Sequence, residues 1–519
     1  MEGKTDVKEA AVEITELNAI QEPAVRVWKL ILLLTALFVV TFFLTGVLWA
    51  LTSWSEITTD ELLWHLKMSM KGADPDLVAE FILITVGSAT LVTGGACLLM
   101  LMLRRRDRKL ERRTFRILRF TTVGALVFTL AAAWFGFGVG TFLWNHFHPS
   151  SFIEEEYVDP GMVEITFPEK KRNLIFIYME SMEITFMDAK SGGAFAENVI
   201  PELTGLAKEN EDFSAAGDRV NGGVSLPGTI WTMGAIFGTT SGLPLKTPLK
   251  RNGMSASEDF FPGVLTLGDL LQREGYQNRL IMGSDAVFGG CQLYYETHGD
   301  FTVHDYEYAK ASGRVPEDYH VWWGYEDEKL FSYAKEELAE LAAGDRPFQL
   351  VLQTMDTHRP DGLRCNQCEE TFDNRYANVM NCSSRRVKEF VDWAKEQDFY
   401  ENTTIVITGD HPTMDEDFCE NVPESYQRKT FFCVINPAVT RKDGSKQREY
   451  ATLDLFPTTL AALGVRIEGD RLGLGTNLFS DRETLLEKYG TDRLGEELER
   501  RSELMERMFN GEYKSPGAE

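Results

Sequence analysis

The sequence predicts an α-helical membrane portion followed by an α/β domain with a mostly parallel central sheet. Three observations carry this reading. Three long apolar runs without charge lie within the first 145 residues. Beyond them, short apolar runs rich in β-branched residues alternate with helical patterns, as buried parallel strands and their crossovers do. Four of those short runs end in turns that carry Glu, Asp or His.

The chain has 519 residues and a formal net charge of −26, which argues against nucleic acid as a partner. Residues 1–27 are polar and acidic without a cleavage pattern, and read as a cytoplasmic N-terminal segment rather than a signal peptide. Residues 28–148 read as a membrane domain. Leu30–Leu51, Phe81–Leu103 and Phe120–Trp144 each reach the ~20 residues a spanning helix needs. Between the second and third runs stand Arg104, Arg105, Arg106, Arg108, Lys109, Arg112, Arg113, Arg116 and Arg119, whereas the first connection has only Lys67 and Lys71. The positive-inside rule then puts the N-terminus and the Arg-rich turn in the cytoplasm and the rest of the chain outside. The stretch Ile57–Met70 fits an interfacial helix or a plain connecting loop equally well.

Residues 149–172 form an acidic, Pro-containing linker, and 173–480 the extracytoplasmic domain. Its strands are expected at 173–178, 279–282, 348–352 and 404–408. A helix over 383–397, capped by Ser383 or Ser384, and another over 454–463 are expected between and after them. The charged tail 481–519 reads as a surface helix pair.

The strand ends supply the candidate chemistry. They lead into Met179-Glu180-Ser181, Gly283-Ser284-Asp285, Met355-Asp356-Thr357-His358 and Gly409-Asp410-His411. Ligands of open parallel sheets bind outside the carboxyl ends of the strands. Glu180, Asp410 and His411 make an O/O/N set suited to one divalent ion, with Mn²⁺ the best fit and Mg²⁺ or Zn²⁺ the alternatives. Taken singly, each of these residues also has a bland reading as a cap or turn residue. Thr229 follows the break at Pro227-Gly228 and is expected to open a helix over 230–237. There its hydroxyl serves either as an N-cap or as a metal-bound nucleophile at the positive helix end. Ser225 precedes the break, and Thr232 would fall nearly a turn inside that helix. His358 is the candidate for phosphate contact or proton transfer.

These stretches resemble the sulfatase-like phosphoglycerol transferases, the family of lipoteichoic acid synthases and of the enzymes that decorate periplasmic glucans. The matching residues are 173–181, Gly228-Thr229 with Gly242-Leu243-Pro244, 357–362, 408–411, 453–460 and 473–479. The resemblance implies an alkaline-phosphatase/sulfatase-like fold. It implies metal ligation by Glu180, Thr229, Asp410 and His411, with Thr229 as nucleophile, and substrate contacts from His358. It further implies a phosphatidylglycerol donor and a glycan, glycolipid or polyglycerol-phosphate acceptor. The lipoteichoic acid synthases carry an aromatic-x-Arg group where this chain has Asp285–Gly290 without Arg, which leans toward the glucan type; Arg359 and Asp285 are the substitute candidates for substrate contact. Phosphoethanolamine transfer and an inactive anchored binding domain are the competing readings. Sulfate ester hydrolysis is disfavoured, since no Cys-x-Pro-x-Arg-type stretch occurs.

Cys97 falls in a predicted span and six cysteines fall outside it. Cys365, Cys368 and Cys382 have partial zinc-site spacing without an evident fourth ligand, and a bridge from Cys365 to Cys382 is the favoured expectation. Cys433 reads as a free core thiol.

The orientation is testable. A cysteine engineered beside Lys109 is expected to escape an impermeant thiol reagent added to intact cells, relative to the parent chain. Efficient labelling there would put the Arg-rich turn outside.

Overall fold

The computed structural model describes residues 24–53, 57–68, 71–215, 217–248, 259–441 and 446–516; most of the predicted N-terminal segment lies outside them. Among the described residues three helices are long and apolar enough to cross a membrane: α1 (Val27–Ser53), α3 (Pro75–Arg106) and α4 (Arg108–Gly136). Between the first two lies α2 (Thr59–Lys67), capped by Thr58, whose hydroxyl accepts from Glu61 N at 3.2 Å. The Arg-rich connection is not a loop. Its basic residues continue α3 and α4, and the turn is Asp107 alone, whose Oδ1 caps α4 by accepting from Lys109 N and Leu110 N at 2.9 and 3.0 Å.

The described chain divides into two compact units. One joins Pro75–Gly140 to the residues before Thr58; the other joins Thr58–Asp74 to the residues from Thr141 onward. The segment read as an interfacial helix or a plain loop therefore belongs to the large unit. The reason is Trp64. It is fully buried, its Nε1 donates to Gly289 O at 3.2 Å, and its ring lies 5.6 Å from that of Phe260.

The large unit is built on a seven-stranded sheet. Its strands are β1 (Asn173–Met179), β2 (Gly222–Gly223), β3 (Gln277–Met282), β4 (Thr302–His304), β5 (Phe348–Gln353), β6 (Thr403–Gly409) and β7 (Thr430–Ile435), in the spatial order β2-β7-β6-β1-β5-β3-β4. β6, β1, β5, β3 and β4 run parallel; β7 is antiparallel to β6, and β2 to β7. The four predicted strands are all present. β1 shows why they read as continuous apolar runs: Leu174, Phe176 and Tyr178 enter one core, while Ile175, Ile177 and Met179 enter the other. A sheet buried on both faces requires apolar residues at both phases of the strand repeat.

Several expectations need correction. The helix placed at 383–397 is longer and starts earlier, as α6 (Arg375–Lys395), because Asn374 caps it by accepting from Ala377 N at 2.9 Å. The charged tail is not a surface pair. It forms Leu485–Tyr489, Thr491–Glu499 and Glu503–Phe509, and Leu485, Leu494, Leu498 and Met508 enter the same core as β1. The expected Cys365–Cys382 bridge is not formed, since those sulfurs stand 3.7 Å apart and Cys368 Sγ lies 3.2 Å from Cys365 Sγ. Cys433 is a buried free thiol in β7, as expected.

Trp64 provides a stability test. Trp64→Ala should cost about 3–5 kcal/mol in denaturant unfolding of the detergent-solubilised protein. Leu66→Ala, at a residue 73% exposed, should cost little. Equal, small effects of the two would mean that the segment does not dock.

Candidate active site

The register of the parallel strands sets the site. β1 pairs Tyr178 with Gln353 of β5 and Met179 with Gly409 of β6. The residues that follow, Glu180, Thr354 and Asp410, therefore leave the sheet side by side. Gly409 is needed at this edge, because a Cβ there would stand 1.8 Å from Met182 O. Ser181 sits at φ 55°, in the left-handed region that costs a non-glycine residue energy. In that conformation its N–H donates to Asp410 Oδ1 and its hydroxyl to Glu180 Oε1, both at 2.8 Å. Thr354 Oγ1 accepts from Glu180 N at 3.0 Å, and Thr357 donates to Glu180 O at 2.6 Å, which ties the His358 loop to β1.

Glu180, Asp410 and His411 are 1%, 0% and 4% exposed. One ligand atom from each lies within 4.8 Å of the others. His411 Nε2 is 3.5 Å from Glu180 Oε1 and 3.7 Å from Asp410 Oδ2, while Nδ1 is 2.9 Å from Pro412 O. The carbonyl fixes the Nδ1–H tautomer, so Nε2 turns its lone pair toward the carboxylates, the disposition of a metal-binding imidazole. Burial, reinforced by Glu180, raises the Asp410 pKa to about 7. Burial opposes a charged His411 ring, but Asp410 and Glu180 outweigh it and raise its pKa. Glu180 Oε2 is buried without a hydrogen-bond partner. Two buried carboxylates, one imidazole lone pair and an orphaned oxygen fit a divalent cation and suit nothing apolar.

The loop carrying Asp410 and His411 is held from behind by Glu183. This buried carboxylate accepts from Thr413 N at 2.8 Å and from Arg428 Nε at 2.9 Å. Sequence reading missed this pair, which no local motif announces.

The hydroxyl at the cluster is not the expected one. Thr229 is fully buried; its Oγ1 donates to Leu226 O and accepts from Leu226 N, both at 2.9 Å, and accepts from Thr452 at 3.3 Å. Its hydrogen-bonding capacity is spent on a turn. The helix begins later, as α5 (Thr232–Ser241), because Trp231 keeps an extended backbone at φ −139° and ψ 161°. Thr232 is thus the first helical residue, half-buried, with Oγ1 3.5 Å from His411 Nε2. The Gly242-Leu243-Pro244 stretch ends α5. Gly242 adopts φ 67° and its N–H donates to Gly238 O at 2.9 Å.

His358 is half-buried, with its ring 4.7 Å from that of Trp323 and Nδ1 2.9 Å from Arg359 O. Burial lowers its pKa to about 4, and the neighbouring His411 adds to this. Arg359 is half-buried, its Nε lacks a partner, and Asp415 is the foremost acidic group facing it. Asp285 does not join the metal cluster. Its Oδ1 accepts from Val287 N at 2.9 Å and its Oδ2 lies 3.8 Å from Lys71 Nζ, so it holds its own turn and the Lys71 segment. Two further groups escaped the sequence reading. Trp323 continues to Phe288 at 5.5 Å, and Phe288 to His65 of α2 at 6.1 Å, an aromatic row leading away from His358. Glu61 of α2 is buried, its Oε2 has no hydrogen-bond partner, and burial raises its pKa to about 7 against the pull of His411.

The family model described as sulfatase matches residues 172–465, more than half of the chain. Phosphoglycerol transferase I of Salmonella choleraesuis is 31% identical over 326 residues, covering 61% of this chain and 40% of that protein. The chain thus corresponds to well under half the length of the curated relatives it matches. Among solved structures, the lipoteichoic acid synthase LtaP of Listeria monocytogenes is 17% identical, with a TM-score of 0.47, covering 64% of this chain and 82% of that one. Lipooligosaccharide phosphoethanolamine transferase A of Neisseria meningitidis is 15% identical, with a TM-score of 0.47, covering 82% and 83%. With its family match spanning the parallel sheet and the Glu180, Asp410 and His411 cluster at its carboxyl edge, the chain belongs to the sulfatase family.

Proposed function

We propose that this chain is a membrane-anchored phosphotransferase that moves glycerol phosphate from phosphatidylglycerol to an extracytoplasmic glycan or polyglycerol-phosphate acceptor. The observation that carries the reading is Thr232. It is a hydroxyl at the first position of a helix, beside an imidazole and two buried carboxylates, where helix dipole and free N–H groups favour a phosphate. The similarity to phosphoglycerol transferase I supports the choice of donor group.

Glu180, Asp410, His411 and the Thr232 hydroxyl would hold one divalent ion, with Mn²⁺ the best fit. When bound, it supplies a lowered hydroxyl pKa and neutralises charge on the phosphoryl oxygens. Thr232 Oγ1 attacks phosphorus, the bond to the diacylglycerol oxygen breaks, and diacylglycerol leaves with a proton. Glycerol phosphate stays on Thr232 as a phosphodiester. An acceptor hydroxyl then attacks the same phosphorus, its proton returns to Thr232, and the product leaves. His358 is neutral at pH 7, given its lowered pKa, and the carbonyl of Arg359 occupies its Nδ1–H. Its Nε2 therefore takes the proton from the incoming hydroxyl and returns it to the departing oxygen. Arg359, next to His358 on this loop, offers a guanidinium for the phosphate. Donor lipid and envelope acceptor are both reachable with α1, α3 and α4 in the membrane and the large unit outside.

The assay is release of labelled diacylglycerol from fluorescent phosphatidylglycerol by the purified full-length protein, with added Mn²⁺ or a chelator. Release should require the ion. Thr232→Ala should abolish it by orders of magnitude, and Thr232→Ser should retain part. Thr229→Ala should cost about 1–3 kcal/mol of stability, from the unpaired Leu226 N–H, while the folded protein keeps turning over. Normal turnover in Thr232→Ala would overturn the assignment. Release from phosphatidylethanolamine alone would favour the phosphoethanolamine reading.

A further inference from the structure

We infer that Cys365, Cys368 and Cys382 form a second metal site, which takes one thiophilic divalent ion of the zinc class and pins the His358 loop to α6. The three sulfurs lie within 4.8 Å of one another, with Cys365 Sγ 3.2 Å from Cys368 Sγ and 3.7 Å from Cys382 Sγ. Thiolates that share a tetrahedral zinc at a bond of about 2.3 Å stand about 3.8 Å apart. A disulfide needs about 2.05 Å between one pair and leaves the third sulfur outside. A three-way cluster is what a shared ion requires, and a pairwise bond does not explain it.

The surroundings match. Arg386 Nη2 donates to Cys365 Sγ at 3.0 Å and Arg385 Nη2 to Cys382 Sγ at 3.7 Å. Binding would release three thiol protons and leave three thiolates on a dication, one net negative charge, which the two guanidinium groups offset. Among the described residues no other His, Cys, Asp or Glu joins the group, so the fourth position falls to water or an outside donor. Cys365 is half-buried and open to such an exchange, whereas Cys368 and Cys382 are buried.

The position gives the site its purpose. Cys365 and Cys368 lie on the connection from β5 to α6, which also carries His358, and Cys382 lies in the second turn of α6. Around the cluster, Arg385 Nη2 donates to Gln367 O at 2.6 Å and Arg375 Nη2 to Gly362 O at 3.3 Å. An ion at the three sulfurs would close the remaining slack between loop and helix, and it is separate from the Glu180, Asp410 and His411 centre.

The test uses the full-length protein purified without chelator. In a Glu180→Ala background, which weakens the first centre, elemental analysis should find about one zinc per chain, and Cys382→Ser should lose it. Cobalt-loaded protein should show a sulfur-to-cobalt charge-transfer band that Cys382→Ser lacks. Denaturation with chelator and no reductant should leave all three cysteines open to alkylation. A disulfide between any two of them, an unchanged zinc count in Cys382→Ser, or cobalt bound without the thiolate band would overturn the site. The cobalt spectrum and alkylation of the unmutated protein decide the matter even if the variant fails to fold.

Discussion

Two carboxylates buried side by side, Glu180 and Asp410, dictate the local arrangement of the site. Glu180 and Asp410 are forced together because β1 and β6 are parallel neighbours, with Met179 level with Gly409. Burial first, and the like charge of Glu180 second, make an ionised Asp410 costly and raise its pKa. Everything around them serves to hold the pair. Ser181 takes a left-handed backbone to donate to both, His411 turns a lone pair toward them, and Glu183 with Arg428 clamps the following loop. Such an arrangement is stable with a cation and poorly stable without one. The proposed chemistry is centred on the same pair.

Much of this was legible from residue order. Strands buried on both faces appear as unbroken apolar runs, so β1, β3, β5 and β6 could be located from composition alone. Because each is parallel, the residues after each run had to share an edge, and Glu180, Asp410, His411 and His358 followed. The long apolar helices were equally plain, since no soluble core accommodates three such runs.

What could not be read depended on contacts distant in sequence. Pro227-Gly228 resembles a helix start, yet Trp231 turns inward with an extended backbone and delays the helix by two residues. That shift exchanges Thr229 for Thr232 at the cluster. The role of α2 was hidden for a similar reason. Its amphipathic pattern suits an interface, and only the pocket formed by Gly289 and Phe260 shows that Trp64 docks on the large unit. By that docking Glu61 comes to act on His411, and His65 joins the aromatic row that runs through Phe288 and Trp323 to His358. The segment between two hydrophobic helices thus supplies part of the wall of a site that the sheet alone would leave open.

In the proposed reaction the Thr232 hydroxyl, beside this carboxylate pair, carries the transferred group. The most direct measurement is to mix the purified protein with phosphatidylglycerol labelled in its glycerol headgroup, quench early, digest and locate the label by mass spectrometry. Glycerol phosphate is expected on Thr232, absent from Glu180→Ala and from chelator-treated protein, and none on Thr229. Label on any other residue, or turnover without a covalent adduct at any time point, would contradict this role of Thr232.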